Sequence, residues 1–148
     1  MSASTRLRGY CGIGLFQPKS ECNIGGALRA ANCYNASIII IQGRKLFRMS
    51  TDTPKTWRHK PVLIVDNLFD AIPYDCVPVA IEIADGSRSL TSYYHPERAF
   101  YIFGPEDGSI SKEVIARCRD VVSVPTNGCM NLAATVNVVL YDRLCKQL

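Results

Sequence analysis

The sequence lacks a hydrophobic run long enough to cross a membrane. Its longest strongly apolar stretch, residues 37–41, is far shorter than the roughly 20 residues that a transmembrane helix needs. The amino-terminal letters MSASTRLRGYCG contain no extended apolar segment, so we expect no secretory signal. Apolar residues nevertheless make up 47% of the 148 residues, which excludes a disordered chain. We therefore expect one folded domain, residues 1–148, with no membrane partner.

The sequence also lacks the spacing of a metal site. Its seven cysteines include no Cys-x-x-Cys pair, and its two histidines, His59 and His95, are far apart. Zinc centres normally draw their ligands from such closely spaced pairs. An odd number of widely spaced cysteines also argues against a disulfide framework. We expect no metal, and free thiols in a reducing cytoplasm.

No Gly-x-Gly-x-x-Gly motif or P-loop follows any predicted strand, which makes a simple nucleotide-binding module a weak interpretation. Strand patterns instead alternate with helix patterns, which is typical of an α/β fold with a mostly parallel sheet flanked by helices. Ser20 or Asn23 is the expected cap of the first helix. The predicted strands are residues 12–16, 37–42, 61–65, 77–83, 99–103 and 120–124, and the predicted helices follow residues 20–23 and cover 111–118 and 131–144.

The last predicted helix, residues 131–144, is apolar around most of its circumference up to Tyr141. A helix of this kind is buried on nearly all sides. In so small a chain, this pattern predicts that the helix packs on the sheet and on a second subunit, so we expect a homodimer.

Positive charge is concentrated in the first part of the chain. Residues 1–60 contain ten lysines and arginines and two acidic residues, a net charge of +8, whereas residues 61–148 have a net charge of −4. A cationic surface attracts a polyanion such as RNA. The alternative is that these side chains scatter over the surface without forming a patch. The candidate RNA-binding residues are Arg44, Lys45, Arg48 and Arg58. Trp57 is expected either to stack on a base or to anchor its loop in the core.

Three loops at the carboxyl ends of predicted strands carry unusual residues, and ligands of parallel sheets bind at that edge. The first, residues 23–29, has the pattern N-x-G-x-x-x-R and begins a helix. The second, residues 104–108, reads GPEDG, and the third, residues 124–131, reads VPTNGCMN. Each is, by itself, consistent with an ordinary turn or helix cap.

In this order and spacing, the three loops resemble the SpoU (TrmH-like) branch of the SPOUT RNA methyltransferases along nearly the whole chain. That family carries N-x-G-x-x-x-R early, G-x-E-x-x-G after a late strand, and I-P followed by S-L-N before the last helix. The resemblance is greatest to minimal members such as the tRNA wobble-ribose methyltransferases. The chain departs from the pattern at Val124, Cys129 and Met130, where isoleucine, serine and leucine are usual. Because a thiol is a weak hydrogen-bond partner, side-chain contacts at Cys129 are in doubt, whereas a backbone role is not.

The resemblance implies a carboxyl-terminal trefoil knot, roughly residues 77–148, and an obligate homodimer. The implied cofactor is S-adenosylmethionine, bound in a bent shape between the knot loops. The residues expected to bind it are Ile81, Glu82, Phe103, Gly104, Val124, Cys129 and Met130.

The implied reaction is methyl transfer to a ribose 2′-hydroxyl of RNA, with tRNA favoured over rRNA. Arg29 is implied to activate or orient the hydroxyl, and Asn23 to fix Arg29 or the substrate. Glu106 is implied to support the substrate-side loop, and Asn131 to connect the knot loop to the site. Two alternatives remain at this point: an RNA-binding protein that keeps the fold without catalysis, and a base methyltransferase of another SPOUT branch.

Overall fold

The computed structural model describes residues 9–43, 55–106 and 108–148. Strands and helices alternate along these residues, as the sequence predicts. The elements are β1 Tyr10–Phe16, α1 Glu21–Cys33, β2 Ile38–Gln42, β3 Val62–Val65, β4 Val77–Ile81, β5 Arg88–Ser89, β6 Arg98–Phe103, α2 Lys112–Arg117, β7 Asp120–Ser123 and α3 Leu132–Gln147.

The strands of the described ranges form one sheet in the order β3-β2-β1-β6-β4-β7-β5, and every neighbouring pair is parallel. The predicted α/β fold with a parallel sheet flanked by helices is therefore confirmed. Because the strands are parallel, their carboxyl ends share one edge of the sheet, and the loops that follow β1, β4, β6 and β7 meet there. The trefoil knot stays a prediction.

Helices α1 and α3 pack side by side on one face of the sheet. Gly26 of α1 allows this close approach, because a Cβ atom built on it would lie 2.8 Å from Cβ of Ala133. Further along both helices, the rings of Tyr34 and Tyr141 meet edge to face, with centroids 6.1 Å apart. The two helices therefore run in the same direction, and both begin at the carboxyl edge of the sheet. Helix α2 and a short 3-10 helix around Leu68 cover part of the opposite face.

Ser20, one of the two expected caps of the first helix, caps α1, and Ser111 caps α2. The Ser20 hydroxyl accepts a hydrogen bond from the backbone of Asn23, and the Ser111 hydroxyl accepts one from Val114. Strand β4 is two residues shorter than predicted, although Pro78 lies inside it. The Pro78 carbonyl oxygen accepts a hydrogen bond from the backbone nitrogen of Arg119. This bond lies just before the paired residues of β4 and β7 begin at Val79 and Asp120. Proline has no N–H to donate, but at this position the sheet loses no hydrogen bond through its absence. The two-residue strand β5 has no apolar pattern and is absent from the prediction.

At the amino-terminal edge, α3 is fastened to the sheet by buried polar side chains. The guanidinium group of Arg143 donates to the carbonyl oxygens of Pro96 and Glu97 at 2.7 and 2.8 Å, and to the Tyr101 hydroxyl at 2.9 Å. The Tyr101 hydroxyl lies 2.7 Å from Nδ1 of His95, and Nε2 of His95 lies 2.7 Å from Asp142. Burial lowers the pKa of His95, which favours the neutral ring with one proton. Because the Asp142 carboxylate can only accept, that proton lies on Nε2, and the Tyr101 hydroxyl donates to Nδ1.

Candidate active site

A cleft opens at the carboxyl edge of the sheet, between the ends of β4, β6 and β7 and the first turn of α3. Every residue predicted to bind the cofactor lines this cleft. These residues are Ile81, Glu82, Phe103, Gly104, Val124, Cys129 and Met130. Thr126, within the predicted loop of residues 124–131, also lines the cleft, and so do Ile83 and Thr135, which were not predicted to do so. Ile83 was predicted to be the last residue of a strand. Thr135 lies one helical turn after Asn131, and this spacing on the same side of the helix is the sequence feature that could have identified it.

The wall on the β4 and β6 side depends on close packing around Gly104. A Cβ atom built at this position would lie 3.1 Å from Cγ1 and 3.2 Å from the backbone nitrogen of Ile110. The Glu82 carboxylate accepts a hydrogen bond from that same nitrogen at 3.0 Å. Glu82 therefore ties the loop after β4 to the loop after β6. It shapes the cleft as well as lining it.

The opposite wall is the loop between β7 and α3, from which Val124, Thr126, Gly128, Cys129 and Met130 line the cleft. Within the described part of the chain, no backbone N–H of residues 126–130 donates to another backbone group. Val124, Met130 and Leu132 add apolar surface beside these free peptide groups. Apolar side chains with a few convergent backbone donors form the usual lining of a cofactor site.

Asn23 and Glu106 come from different motifs and meet at the cleft, which Glu106 lines. The Asn23 amide donates to Glu106 Oε1 at 3.1 Å. The backbone nitrogens of Lys19 and Ser20 donate to the same carboxylate at 3.0 and 3.2 Å. Partial burial raises the pKa of Glu106, but these hydrogen bonds and one from its own backbone outweigh it, so its pKa lies below the ordinary value. The ionised carboxylate thus holds the loop of residues 104–108 against the start of α1.

Asn131 caps the helix that borders the cleft. Its Oδ1 accepts from the backbone nitrogen of Ala134 at 2.7 Å, and its carbonyl oxygen accepts from the Thr135 hydroxyl at 2.8 Å. The Asn131 side chain therefore fixes the first turn of α3, which carries Leu132 and Thr135 into the cleft lining. Its connection to the site is through this turn. Neither Asn23 nor Glu106 is among its hydrogen-bond partners in the described residues.

Arg29 lies apart from the Asn23–Glu106 pair. It projects from the exposed face of α1 and does not line the cleft. Among the described residues it has no hydrogen-bonding or ion-pair partner. The structure therefore brings Asn23 and Glu106 together and leaves Arg29 free to reach a molecule bound outside the chain.

The predicted RNA-binding residues are only partly within the described ranges. Arg44, Lys45 and Arg48 lie outside them. Arg58 is exposed, and its guanidinium carbon lies 5.0 Å from the centroid of the Trp57 ring. Trp57 is 50% exposed, whereas its neighbour Thr56 is buried and donates to the Leu28 carbonyl. Thr56 is thus the loop anchor, and the Trp57 ring is open to solvent.

The described residues hold neither a metal-binding cluster nor a membrane-spanning helix. No group of three or more histidine, cysteine or acidic side chains capable of holding a metal occurs in the described ranges. None of the helices described is long and apolar enough to span a membrane.

Comparison with known proteins points to one family. A sequence model described as the SpoU rRNA methylase family matches residues 11–141, which is most of the chain. No curated protein matches the chain by sequence.

Solved structures of similar fold come from the same group of proteins. The SpoU methyltransferase AviRb from Streptomyces viridochromogenes, in complex with AdoMet, has a TM-score of 0.82 at 17% identity, over 96% of this chain and 62% of that one. The A. aeolicus TrmH/SpoU tRNA modifying enzyme has a TM-score of 0.80 at 15% identity, over 92% and 74%. A structure concerned with the 2-OH methylation of C/U34 on tRNA has a TM-score of 0.76 at 24% identity, over 96% and 93%. The chain thus spans less than two thirds of AviRb, and these likenesses establish its fold.

Proposed function

Because the chain belongs to the SpoU methylase family, we propose that it is an S-adenosylmethionine-dependent RNA methyltransferase that modifies a ribose 2′-hydroxyl, most simply in a cytoplasmic tRNA. The observation that carries this proposal is the meeting of three separate sequence motifs around one cleft. The loops after β4, β6 and β7 line it, and the Asn23–Glu106 pair borders it.

The cleft has the chemistry that this cofactor requires. Apolar surface comes from Ile81, Phe103, Val124 and Leu132. The backbone N–H groups of residues 126–130, which bond to no other described backbone group, can donate hydrogen bonds to the polar edge of a ring in the cofactor. Bound there, the cofactor supplies a methyl group already activated by its sulfonium. The protein therefore has to align the 2′-oxygen with that methyl and favour loss of the hydroxyl proton.

Alignment is the largest contribution that these residues can make. Holding two reacting atoms in the right geometry can lower a barrier by about 7 to 11 kcal/mol. Arg29 is suited to clamp a phosphate and so to orient the neighbouring ribose, because a guanidinium group forms paired hydrogen bonds to phosphate oxygens. Its charge also favours the alkoxide form of the hydroxyl. Since arginine keeps its proton in proteins, this role is more consistent with its chemistry than that of a general base.

The basic first 60 residues are the proposed RNA-binding surface, with Arg44, Lys45, Arg48 and Arg58 as contacts. The exposed Trp57–Arg58 pair supports this proposal, because an open indole ring is a stacking surface for an unpaired base. Contacts to phosphates position the RNA without reading its sequence.

We propose that the chain acts as a homodimer, and an apolar stripe along α3 supports this arrangement. Val138 and Tyr141 are 37% and 55% exposed, and they lie on one side of the helix with Cys145. The Tyr34 ring meets Tyr141 beside this stripe. A second copy would cover these side chains, and the basic segment of one chain would then serve the cleft of the other.

The decisive experiment is incubation with labelled S-adenosylmethionine and total small RNA, followed by mass spectrometry of the nucleosides. A 2′-O-methylated nucleoside is the expected product. A methylated base would instead favour the other SPOUT branch. Cofactor binding without any methylated product would favour an RNA-binding protein that has lost catalysis. Absence of binding to the cofactor and to its demethylated product in calorimetry would contradict the proposal itself.

The RNA surface has its own test in the salt dependence of binding. The combined Arg44, Lys45 and Arg48 alanine variant is expected to bind RNA more weakly and to lose about 0.7 to 0.9 of the logarithmic salt slope for each lost contact. Cofactor affinity is expected to stay unchanged. An unaltered slope and affinity would show that the RNA binds elsewhere.

A further inference from the structure

A second cleft lies at the same edge of the sheet, on the other side of the loop that follows β6. Phe16 and Gln17 at the end of β1, Gln42 at the end of β2, Asn67, Phe69 and Arg117 line it, with Ser109, Ser111 and Glu113. Its volume of about 480 Å³ lies within the range of small-molecule sites, roughly 300 to 1,000 Å³. None of the side chains in the first cleft lines this one.

Two amides in this cleft have an orientation fixed by their backbone partners. Gln42 Oε1 accepts from the backbone nitrogen of Leu68 at 2.9 Å, and Asn67 Oδ1 accepts from that of Phe69 at 3.0 Å. Because a backbone N–H can only donate, the oxygen of each amide is committed and its NH₂ group is the free end. No described residue accepts a hydrogen bond from either NH₂ group. The cleft therefore offers two fixed donors to a ligand that presents acceptors.

Arg117 provides a flat surface beside these donors. Its guanidinium carbon lies 4.0 Å from the centroid of the Phe69 ring, so one face of the guanidinium group is covered. Arg117 is otherwise exposed, and its other face is open to a stacked ring. Guanidinium planes and aromatic rings are the usual stacking partners of unpaired RNA bases.

Glu113 makes the cleft unsuitable for a phosphate group. Its carboxylate balances the charge of Arg117, so the lining is electrically neutral. It also adds an acceptor to the same lining as the two donors, which suits a ligand that carries a ring N–H next to a carbonyl oxygen. Among the RNA bases, uracil has two carbonyl oxygens flanking a ring N–H, and guanine has one carbonyl oxygen beside its ring N–H.

Residues from the segment after β6 line both clefts. Glu106 of this segment lines the first cleft and binds the backbone of Lys19 and Ser20, whereas Ser109 lines the second. Gln17, at the end of β1, also lines the second cleft. Its left-handed backbone, φ 49°, is held by a hydrogen bond from its nitrogen to the Gln42 carbonyl. One RNA strand crossing this edge would thus meet both clefts.

We propose that the second cleft binds a uracil or guanine base adjacent in the RNA to the methylated nucleotide. This inference rests on the proposed function, since it takes the occupant from the same RNA strand. The cleft thereby gives the enzyme a sequence preference at a neighbouring position. Gln42, Asn67 and Glu113 read the base edge, and Arg117 stacks on its face.

Nuclear magnetic resonance of the complete protein tests the cleft without any methylation assay. Uridine or guanosine 5′-monophosphate is expected to shift the side-chain amide signals of Gln42 and Asn67. Ribose 5-phosphate and inorganic phosphate are expected to leave those signals in place. Equal shifts with the two phosphate probes would overturn the proposal in favour of an anion site. Unchanged amide signals with both nucleotides would overturn it outright.

Isosteric variants then connect the cleft to RNA. Gln42→Glu and Asn67→Asp keep the oxygen that accepts from the backbone and replace the NH₂ donor by a second carboxylate oxygen, which also adds a negative charge. Each variant is expected to raise KM for RNA about tenfold, and Arg117→Ala is expected to do the same. The reason is that the contacts of one bound base contribute about a factor of ten to RNA affinity. The value of kcat and the cofactor affinity are expected to stay within about twofold of the wild type.

Matched controls separate these effects from charge alone. Asn35→Asp makes the same amide-to-carboxylate change in the turn after α1 and keeps the acceptor of Lys60. Lys112→Ala removes a positive charge from α2 outside the cleft. KM values that rise equally in the controls would overturn the proposal. A wild-type protein that methylates no RNA would refute the proposed function instead, and the amide signals would still decide what the cleft binds.

Discussion

The amino-terminal and carboxyl-terminal edges of the sheet use polar groups differently. At the amino-terminal edge, Arg143, Tyr101 and His95 are buried and hydrogen-bonded to one another. At the carboxyl-terminal edge, peptide groups and side-chain amides face two clefts with donors that no described residue uses. Buried polar groups need a hydrogen-bond partner within the protein, whereas polar groups in an open cleft are solvated and remain available to a ligand.

The comparison assigns a different task to each end of α3. Its last turns are fastened to the segment before β6, while its first turn carries Leu132 and Thr135 into the cleft. A helix fixed at one end can hold a loop at the other in place without filling the site. We therefore expect variants at the amino-terminal edge to change stability, and variants at the carboxyl-terminal edge to change function.

The largest expected effect comes from Arg29, which lies along α1 and outside both clefts. Arg29→Ala is expected to lower kcat/KM by at least about a hundredfold, the usual loss for a group that stabilises developing charge. Folding and cofactor affinity are expected to change little, because the side chain has no partner in the described residues. Arg29→Lys is the matched control and is expected to keep more activity. If Arg29→Ala turned over at the wild-type rate, Arg29 would have no catalytic role, and the functional residues would all lie at the carboxyl-terminal edge of the sheet.

Tyr101→Phe tests the amino-terminal edge. The change removes one hydroxyl and leaves Nδ1 of His95 buried without a donor, so the free energy of unfolding is expected to fall by about 1 to 3 kcal/mol. Activity per folded molecule is expected to stay the same. Denaturant titration and methylation rates at matched folded concentrations measure the two quantities. Unchanged stability would contradict the fastening role of this network.

His95 predicts how that edge responds to acid. Burial lowers the pKa of His95 below 6.5 despite the opposing effect of Asp142. The unfolded chain therefore takes up a proton before the folded one does, and stability falls as the pH drops below 6.5. Thermal unfolding between pH 7 and 5 should show this loss in the wild type and in His59→Gln. His95→Gln should show less of it, and an equal loss in His95→Gln would contradict the assignment.

Glu106 predicts a response at lower pH from the carboxyl-terminal edge. Its pKa lies below the ordinary value of 4.5, so its contribution to stability is present above that pH and is lost as the pH falls through the folded value. Glu106→Gln is expected to abolish this part of the acid sensitivity and to loosen the loop. Glu21→Gln, on the exposed first turn of α1, serves as the control. Identical acid profiles for wild type and Glu106→Gln would refute the role of the carboxylate.

The smallest effect is expected at Cys129, although it lines the first cleft. Cys129→Ser restores the residue usual in the family and leaves the peptide groups of the loop unchanged. Cofactor affinity measured by calorimetry is expected to stay within about twofold, since a thiol is a weak hydrogen-bond partner. A change of tenfold or more would mean that the side chain, and not the backbone, makes the contact.

Local patterns were sufficient for most of the secondary structure. The β-branched run that became β2 and the Ser20 and Ser111 caps needed no information from elsewhere in the chain. The same patterns missed β5, because two residues carry no periodicity. Trp57 could not be assigned from sequence for a different reason. Whether Thr56 or Trp57 is buried depends on the contacts that each can make in the folded chain. Thr56 is buried because its hydroxyl donates to the Leu28 carbonyl oxygen.

The order of the motifs, which the sequence alone determines, indicated the family and the loops that line the first cleft. Only the tertiary structure decided that Glu106 accepts from Asn23, 83 positions away along the chain, while Arg29 stays free. The second cleft was also beyond sequence reasoning, because its donors come from separate segments, the end of β2 and the turn at Asn67, and neither forms a motif. Local hydrogen bonds and hydrophobic periodicity are determined by neighbouring residues, whereas the free end of the Gln42 amide depends on a backbone nitrogen 26 residues away.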